Sequence, residues 1–209
     1  KLYAEKLELL LKIRSENPVT WQGETRPPLL KAGIWPRPVQ DPLPVWIAVG
    51  GTPNSVVRAG TLGLPLAIAI IGGEPHRFAP LVELYREAGR RAGHAPETLK
   101  VGINSHGFIA DDSQHAADTY FPPYAEMFGR IGRERGWGPV TRAQYEAGRG
   151  PRGALLVGNP NEVAEKILAE HAYFKNDRFL MQIDMGALAH GETMRAIELF
   201  GTKVKEQVD

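Results

Sequence analysis

The chain has no cysteine among its 209 residues. That one absence excludes disulfides, thiolate metal sites and a cysteine nucleophile together. It also has almost no net charge: 25 basic against 24 acidic side chains leave +1 with histidine neutral. Such a balance excludes a nucleic-acid or membrane surface built on bulk charge, although not a local patch. No apolar run approaches the ~20 residues of a membrane span, and the first residues carry no secretory signal pattern. There is no Gly-x-Gly-x-x-Gly after a strand, no Walker pattern, no Gly-x-Ser-x-Gly elbow and no His/Asp/Glu set at metal-ligand spacing. The chain begins at Lys1 in what reads as mid-helix, without Met, which suggests a fragment or trimmed product.

What is present is an ordinary globular composition, 43% apolar and 23% charged. Residues 1–209 suffice for a single domain with a sizeable core. Glycine and proline are plentiful, 23 and 17, and they cluster between elements.

One stretch organises the rest. Val45 to Val49 is an unbroken apolar run that suits a strand covered on both faces, as in a parallel sheet. Gly50 and Gly51 then allow a tight turn, Thr52 is an N-cap candidate, and Pro53 falls at the first helical position. A turn of this kind aims backbone N–H groups and a hydroxyl at one point, where a phosphate can bind. The same residues also make a good turn with nothing bound.

Apolar residues at helical spacing predict a first helix over Lys1–Ser15, ended by Asn17-Pro18. Residues 18–43 read as irregular. After the organising strand come a helix over 54–62 closed by Gly63, a strand over 64–71, a helix over 76–92 closed by Gly93, and a strand over 99–110 interrupted by Asn104, Ser105 and His106. Asp111, Asp112 and Ser113 offer caps for a helix over 114–132, broken at Pro122-Pro123. Residues 133–153 read as a second long excursion. Asn159, Pro160 and Glu162 form a capping-box start for a helix over 163–174. A fourth strand over 178–185 and a helix over 192–204 close the chain.

Four strands alternating with helices make the class α/β with a parallel sheet. A whole (β/α)8 barrel takes ~250 residues, so four strands are a small doubly wound sheet or half of a barrel. Two long connections favour the barrel, which elaborates its βα loops over the active site.

In either architecture ligands bind at the carboxyl ends of the strands. Gly50, Gly51, Thr52, Gly72, Gly73, Glu74, Asn104, Ser105, His106, Asp184, Gly186 and His190 fall there. Ile71-Gly-Gly-Glu-Pro nearly repeats Gly50-Gly-Thr-Pro, and two glycine pairs exceed the needs of one turn. His106 and His190 are the acid–base candidates because imidazole titrates near neutrality; each reads more readily as a surface or hydrogen-bonded structural histidine. The Asp111-Asp112 pair reads as capping, and the arginines of 130–152 as a solvated loop.

Several segments together resemble the bacterial luciferase-like flavin-dependent monooxygenases. They are Pro-x-Pro-x-Gln-x-Pro-Leu-Pro-Val-Trp-Ile-Ala-Val-Gly-Gly-Thr-Pro over 36–53, Ile-Gly-Gly-Glu-Pro-x-Arg-Phe-Ala-Pro-Leu over 71–81, Leu-Val-Gly-Asn-Pro-x-Glu-Val-Ala-Glu-Lys-Ile over 156–167, Arg-Phe-x-x-Gln-Ile-Asp-Met-Gly over 178–186 and Ile-Glu-Leu-Phe-Gly-Thr-x-Val over 197–204. The resemblance implies a (β/α)8 TIM barrel of which this chain is the second half, strands five to eight. It implies reduced FMN, or in some branches the deazaflavin F420, with O2 and a small organic substrate. It further implies a separate NAD(P)H:flavin reductase, a homo-oligomer, a cytoplasmic location and neither nucleic acid nor membrane as partner. In relatives the turn matching Gly51-Thr52 contacts the flavin phosphate; Gly50, Gly51, Thr52, Gly72 and Gly73 are therefore the cofactor-binding candidates. Residues 121–153 resemble the variable excursion that covers the substrate pocket like a lid. The first half of the barrel, which in the family holds much of the ring and the catalytic side chains, has no counterpart here, so no catalytic residue carries over. A half-barrel leaves two strand edges to be paired, by a missing half or across a dimer.

Overall fold

The computed structural model describes residues 1–209, which divide into two compact units, 1–45 and 46–209. The first unit holds α1 (Leu2–Ser15) and a small antiparallel pair, β1 (Val19–Trp21) and β2 (Leu29–Ala32). The Glu5 carboxylate ties the following loop to α1, accepting from the Glu24 and Thr25 amides at 3.0 and 2.9 Å and from the Thr25 hydroxyl at 2.8 Å. The irregular reading of 18–43 thus misses a hairpin-like pair whose strands are too short to show a period.

The second unit is built on β3 (Ile47–Val49), β4 (Leu66–Ile70), β5 (Val101–Ile109), β6 (Leu156–Gly158) and β7 (Arg178–Gln182), all paired in parallel. β5 is the centre. It pairs β4 along 101–105, β7 along 102–106 and the short β6 along 107–109. The strands expected from the sequence, β3, β4, β5 and β7, follow one another without reversal. A doubly wound sheet reverses its order at a switch point; this one does not. Asn104, Ser105 and His106 do not interrupt β5, because ladder bonds to strands on both sides carry the backbone through them.

Helices α2 (Pro53–Thr61), α3 (Ala79–Arg91), α4 (Ser113–Arg135), α5 (Arg142–Arg149), α6 (Pro160–Phe174) and α7 (His190–Leu199) alternate with the strands, and a π turn leads into α8 (Lys205–Val208). α2 and α3 cross closely at Gly60, where a Cβ would stand 2.4 Å from the Tyr85 carbonyl oxygen. The buried Tyr85 hydroxyl lies 3.0 Å from Leu64 O and 3.2 Å from Lys100 O, fixing α3 to the starts of β4 and β5.

The expected burial on both faces is corrected. Ile47, Val49, Leu66, Ile68 and Ile70 are buried, while Ala48 is exposed and Ala67 and Ala69 are half-buried. On β7, Leu180 is exposed between half-buried Phe179 and Met181. On β3, β4 and β7 the alternation that a strand imposes leaves every second residue less buried, whereas the central β5 and the short β6 are buried at nearly every position.

α4 is continuous through Pro122 and Pro123. Proline forfeits two ladder bonds there, but aromatic residues on both sides hold the helix in one piece. Phe108 stacks on Tyr120 at 5.6 Å, and Tyr124 meets Phe128 at 4.5 Å and Tyr145 of α5 at 5.5 Å. α5 is itself a departure from the expected excursion: Thr141 and Gln144 form a capping box, and Tyr145 is buried. The Asn159–Glu162 capping box forms as expected.

Candidate functional site

The two Gly-Gly turns sit at neighbouring strand ends, after β3 and β4, and they differ. At the first, Gly51 has φ +125°, and a Cβ at Gly50 or Gly51 would meet nothing within 4 Å. Thr52 occupies the N-cap position of α2, yet its hydroxyl makes no cap bond. Its carbonyl accepts from Ser55 and Val56 at 3.1 and 3.3 Å, while the N–H groups of Gly51, Thr52 and Asn54 are taken by no hydrogen bond. No acidic residue lies in the first turn of α2. Unbonded donors, a spare hydroxyl and the positive end of a helix are the groups an anion can use.

At the second turn Gly73 has φ +78°, and again nothing lies within 4 Å of a Cβ at Gly72 or Gly73. Here the N-cap is Glu74, whose carboxylate pairs with Arg77 at 3.0 Å and Arg152 at 2.7 Å. The N-cap side chain here is committed to two guanidiniums, where Thr52 leaves its hydroxyl free. The turn instead floors a cleft of about 410 Å³ walled by Tyr124, Trp137, Val140, Tyr145 and Leu155.

His106 lies on β5, buried, its ring edge-on to Tyr124 at 6.5 Å and to Phe128 at 5.7 Å. Burial pushes its pKa down, against a hydrogen bond with the Gln182 side chain that raises it. The ring is therefore neutral at pH 7, and its Nδ1 is buried without a partner. His190 is the exposed first residue of α7 and joins none of these groups. Asp112 caps α4 by accepting from His115 N at 2.8 Å, and Asp111 pairs with Arg195 at 2.7 Å. Of the arginines read as a solvated loop, Arg130, Arg133, Arg135 and Arg152 are exposed, whereas Arg142 pairs with Asp118 and Glu146, and Arg149 pairs with Glu146 and donates to Ser113 O.

A family model of the luciferase-like monooxygenases matches residues 1–174. The chain belongs to that family. No curated protein sequence matches it. Among solved structures, monooxygenase RslO1 from Streptomyces bottropensis superposes with a TM-score of 0.79 at 22% identity, over 99% of this chain and 61% of that one. The coenzyme F420-dependent tetrahydromethanopterin reductase of Methanopyrus kandleri gives 0.70 at 17%, over 99% and 63%. The oxygenating constituent of 3,6-diketocamphane monooxygenase from Pseudomonas putida, in complex with FMN, gives 0.64 at 19%, over 99% and 62%. At these identities the likeness is one of fold. The chain spans about three fifths of the length of these luciferase-like relatives.

Sequence reasoning placed a covering excursion at 121–153 but missed that its aromatic residues sit on the helices α4 and α5. The signal was present: Tyr120, Phe121, Tyr124 and Phe128 recur at helical spacing, but the proline pair between them read as a break. It also missed a buried couple on α6. Lys166 Nζ donates to the carbonyls of Arg149, Gly150 and Leu155, clamping the segment that carries the far side of the cleft. Burial pushes Lys166 down to about 8. Glu170, one turn on and 2% exposed, is pushed up to about 7 by burial, and both of its carboxyl oxygens lack partners.

Proposed function

We propose that this chain is the C-terminal part of a luciferase-like oxidoreductase, corresponding to strands five to eight of a (β/α)8 barrel, and that its first Gly-Gly turn binds the phosphate of a flavin-type cofactor. One observation carries the reading. Three backbone N–H groups and the Thr52 hydroxyl are left without partners at the carboxyl end of β3 and the N-terminus of α2. The less buried positions of β3, β4 and β7 support the half-barrel assignment, since all-parallel sheets are normally covered on both sides.

In this reading the cofactor is reduced FMN, which supplies the electrons for reaction of O2 with a small organic substrate. The residues present fit its phosphate end. Gly50 and Gly51 let the backbone approach, Thr52 and the amides hold the anion, and Gly72 and Gly73 border the substrate side. His106, neutral and buried, stays a candidate for proton handling, and residues 121–153 cover the cleft and exclude water. A flavin reductase partner, a homo-oligomer and a cytoplasmic location belong to the same proposal.

Titrating FMN against the protein, followed by flavin fluorescence, tests it. Thr52→Asp places a carboxylate at this turn and should weaken binding at least about tenfold, roughly 1.4 kcal/mol. Equal binding by parent and variant rejects the phosphate site. The second reading is a deazaflavin oxidoreductase on the same scaffold, favoured by the superposition on an F420-dependent enzyme. Hydride transfer from reduced F420 without O2 uptake would select it.

A further inference from the structure

We infer that the cleft above Gly72 and Gly73 takes an uncharged, apolar, ring-bearing organic compound and rejects anionic ones such as sulfonates. The inference rests on reading this cleft as the substrate side of the cofactor turn. Its volume of about 410 Å³ falls within the range of small-molecule sites, roughly 300–1,000 Å³. None of the residues lining it is Asp, Glu, Lys, Arg or His. Its walls are the rings of Tyr124, Trp137 and Tyr145 with Val140 and Leu155, and its floor is backbone.

The polar atoms that remain are few, and they are neutral. The Tyr145 hydroxyl is spent on Ala117 O at 3.2 Å. The Gln144 carbonyl oxygen is spent on the Thr141 amide and hydroxyl, at 2.9 and 3.1 Å. That leaves the Gln144 amide N–H groups, the Trp137 indole N–H, the backbone N–H groups of Gly72 and Gly73, and the Tyr124 hydroxyl, which burial keeps protonated by pushing its pKa up. These neutral donors suit an acceptor such as a carbonyl oxygen. An anion brought here would lose its hydration with no cation lining the cleft to replace it, a loss of several kcal/mol for a buried unpaired charge. Arg135 lies over Trp137, 5.2 Å from the ring centroid, but does not line the cleft.

The floor supplies the probe. Gly72 has an ordinary φ and open space around a Cβ, so a side chain there enters the cleft without disturbing the fold. The experiment compares 2-acetylnaphthalene with naphthalene-2-sulfonate, two probes of similar shape, by quenching of tryptophan fluorescence on the flavin-free protein. The ketone should bind saturably and at least tenfold more tightly than the sulfonate. Gly72→Val should weaken the ketone at least tenfold while circular dichroism and Tm hold. Val140→Arg should raise sulfonate affinity at least tenfold. Sulfonate binding equal to the ketone's, no saturable ketone binding, or ketone affinity unchanged in Gly72→Val overturns the inference. No flavin is used, so failure of the phosphate site would appear in the FMN titration and not here.

Discussion

The turns after β3 and β4 are near copies in sequence and different in use. Both place two bare glycines at a strand end, and both are followed by proline at the start of a helix. What separates them is one residue and one neighbour. Thr52 at the first leaves a hydroxyl and a positive helix end facing open space, whereas Glu74 at the second brings a negative charge into ion pairs. The second turn also lies beneath the aromatic wall of α4 and α5, which makes a cleft of it. The motif supplies uncovered backbone; its neighbours decide whether an anion or an apolar ring meets it.

The strongest way to break the contrast is to remove the wall. Tyr145 is 1% exposed and touches Phe121 and Tyr124 at 5.1 and 5.5 Å. Tyr145→Ala should cost about 3–5 kcal/mol of stability, the usual loss for a large buried aromatic, and abolish ketone binding at temperatures where the protein still folds. FMN binding at the first turn should survive, because nothing at Thr52 leans on that cluster. Urea unfolding beside both titrations would show it; simultaneous loss of both ligands in folded protein would mean the turns are one site.

A second test uses pH. Glu170 is held near 7, above its ordinary value of 4.5. The folded state therefore keeps a proton that the unfolded state releases between those values. By linkage, this contribution is fully present below pH 4.5 and is lost as pH rises toward 7, on the order of 3 kcal/mol. Lys166, lowered from 10.5 to about 8, acts with the opposite sign, and stability recovers as pH rises through that interval. Glu170→Gln should flatten the first slope in urea unfolding between pH 5 and pH 7; an unchanged slope would show that Glu170 does not titrate there. The effect belongs to the second turn, since Lys166 clamps the carbonyls of the segment walling its cleft.

These tests also mark what the sequence made legible. The alternation of strands and helices, the Asn159 cap and the glycine turns rest on short-range chemistry, and they were readable; β6, only three residues long, was not. The helix through Pro122-Pro123 was not, because aromatic contacts to β5 and α5 override a local penalty. Nor was the α6 couple: Lys166 and Glu170 look like an ordinary solvent-facing pair one turn apart until the 149–155 segment folds over them. His106 was expected to interrupt its strand but lies within β5, and its orphaned Nδ1 needed the packing of α4 to become visible.

Backbone strain gives a smaller, sharper comparison. Gly51 at φ +125° lies where only glycine is comfortable, whereas Gly72 does not. Gly51→Ala should cost roughly 1–3 kcal/mol and disturb the turn, and Gly72→Ala well under that. Equal losses in thermal unfolding would deny the first turn its special conformation.

The smallest effect concerns charge at the second turn. Glu74→Gln removes its carboxylate and weakens two pairings, with Arg77 and Arg152. Such surface pairs contribute roughly 0–1 kcal/mol, so the fold should hold within that. If the cofactor phosphate sits only at Gly50–Thr52, the FMN dissociation constant should move less than about twofold, since the Glu74 carboxylate is already held in two ion pairs. If the phosphate instead prefers the second turn, removing the opposing carboxylate should tighten FMN several-fold, and Thr52→Asp should then have little effect. The two variants shift affinity in opposite patterns under the two assignments, so a single titration series decides which turn holds the anion.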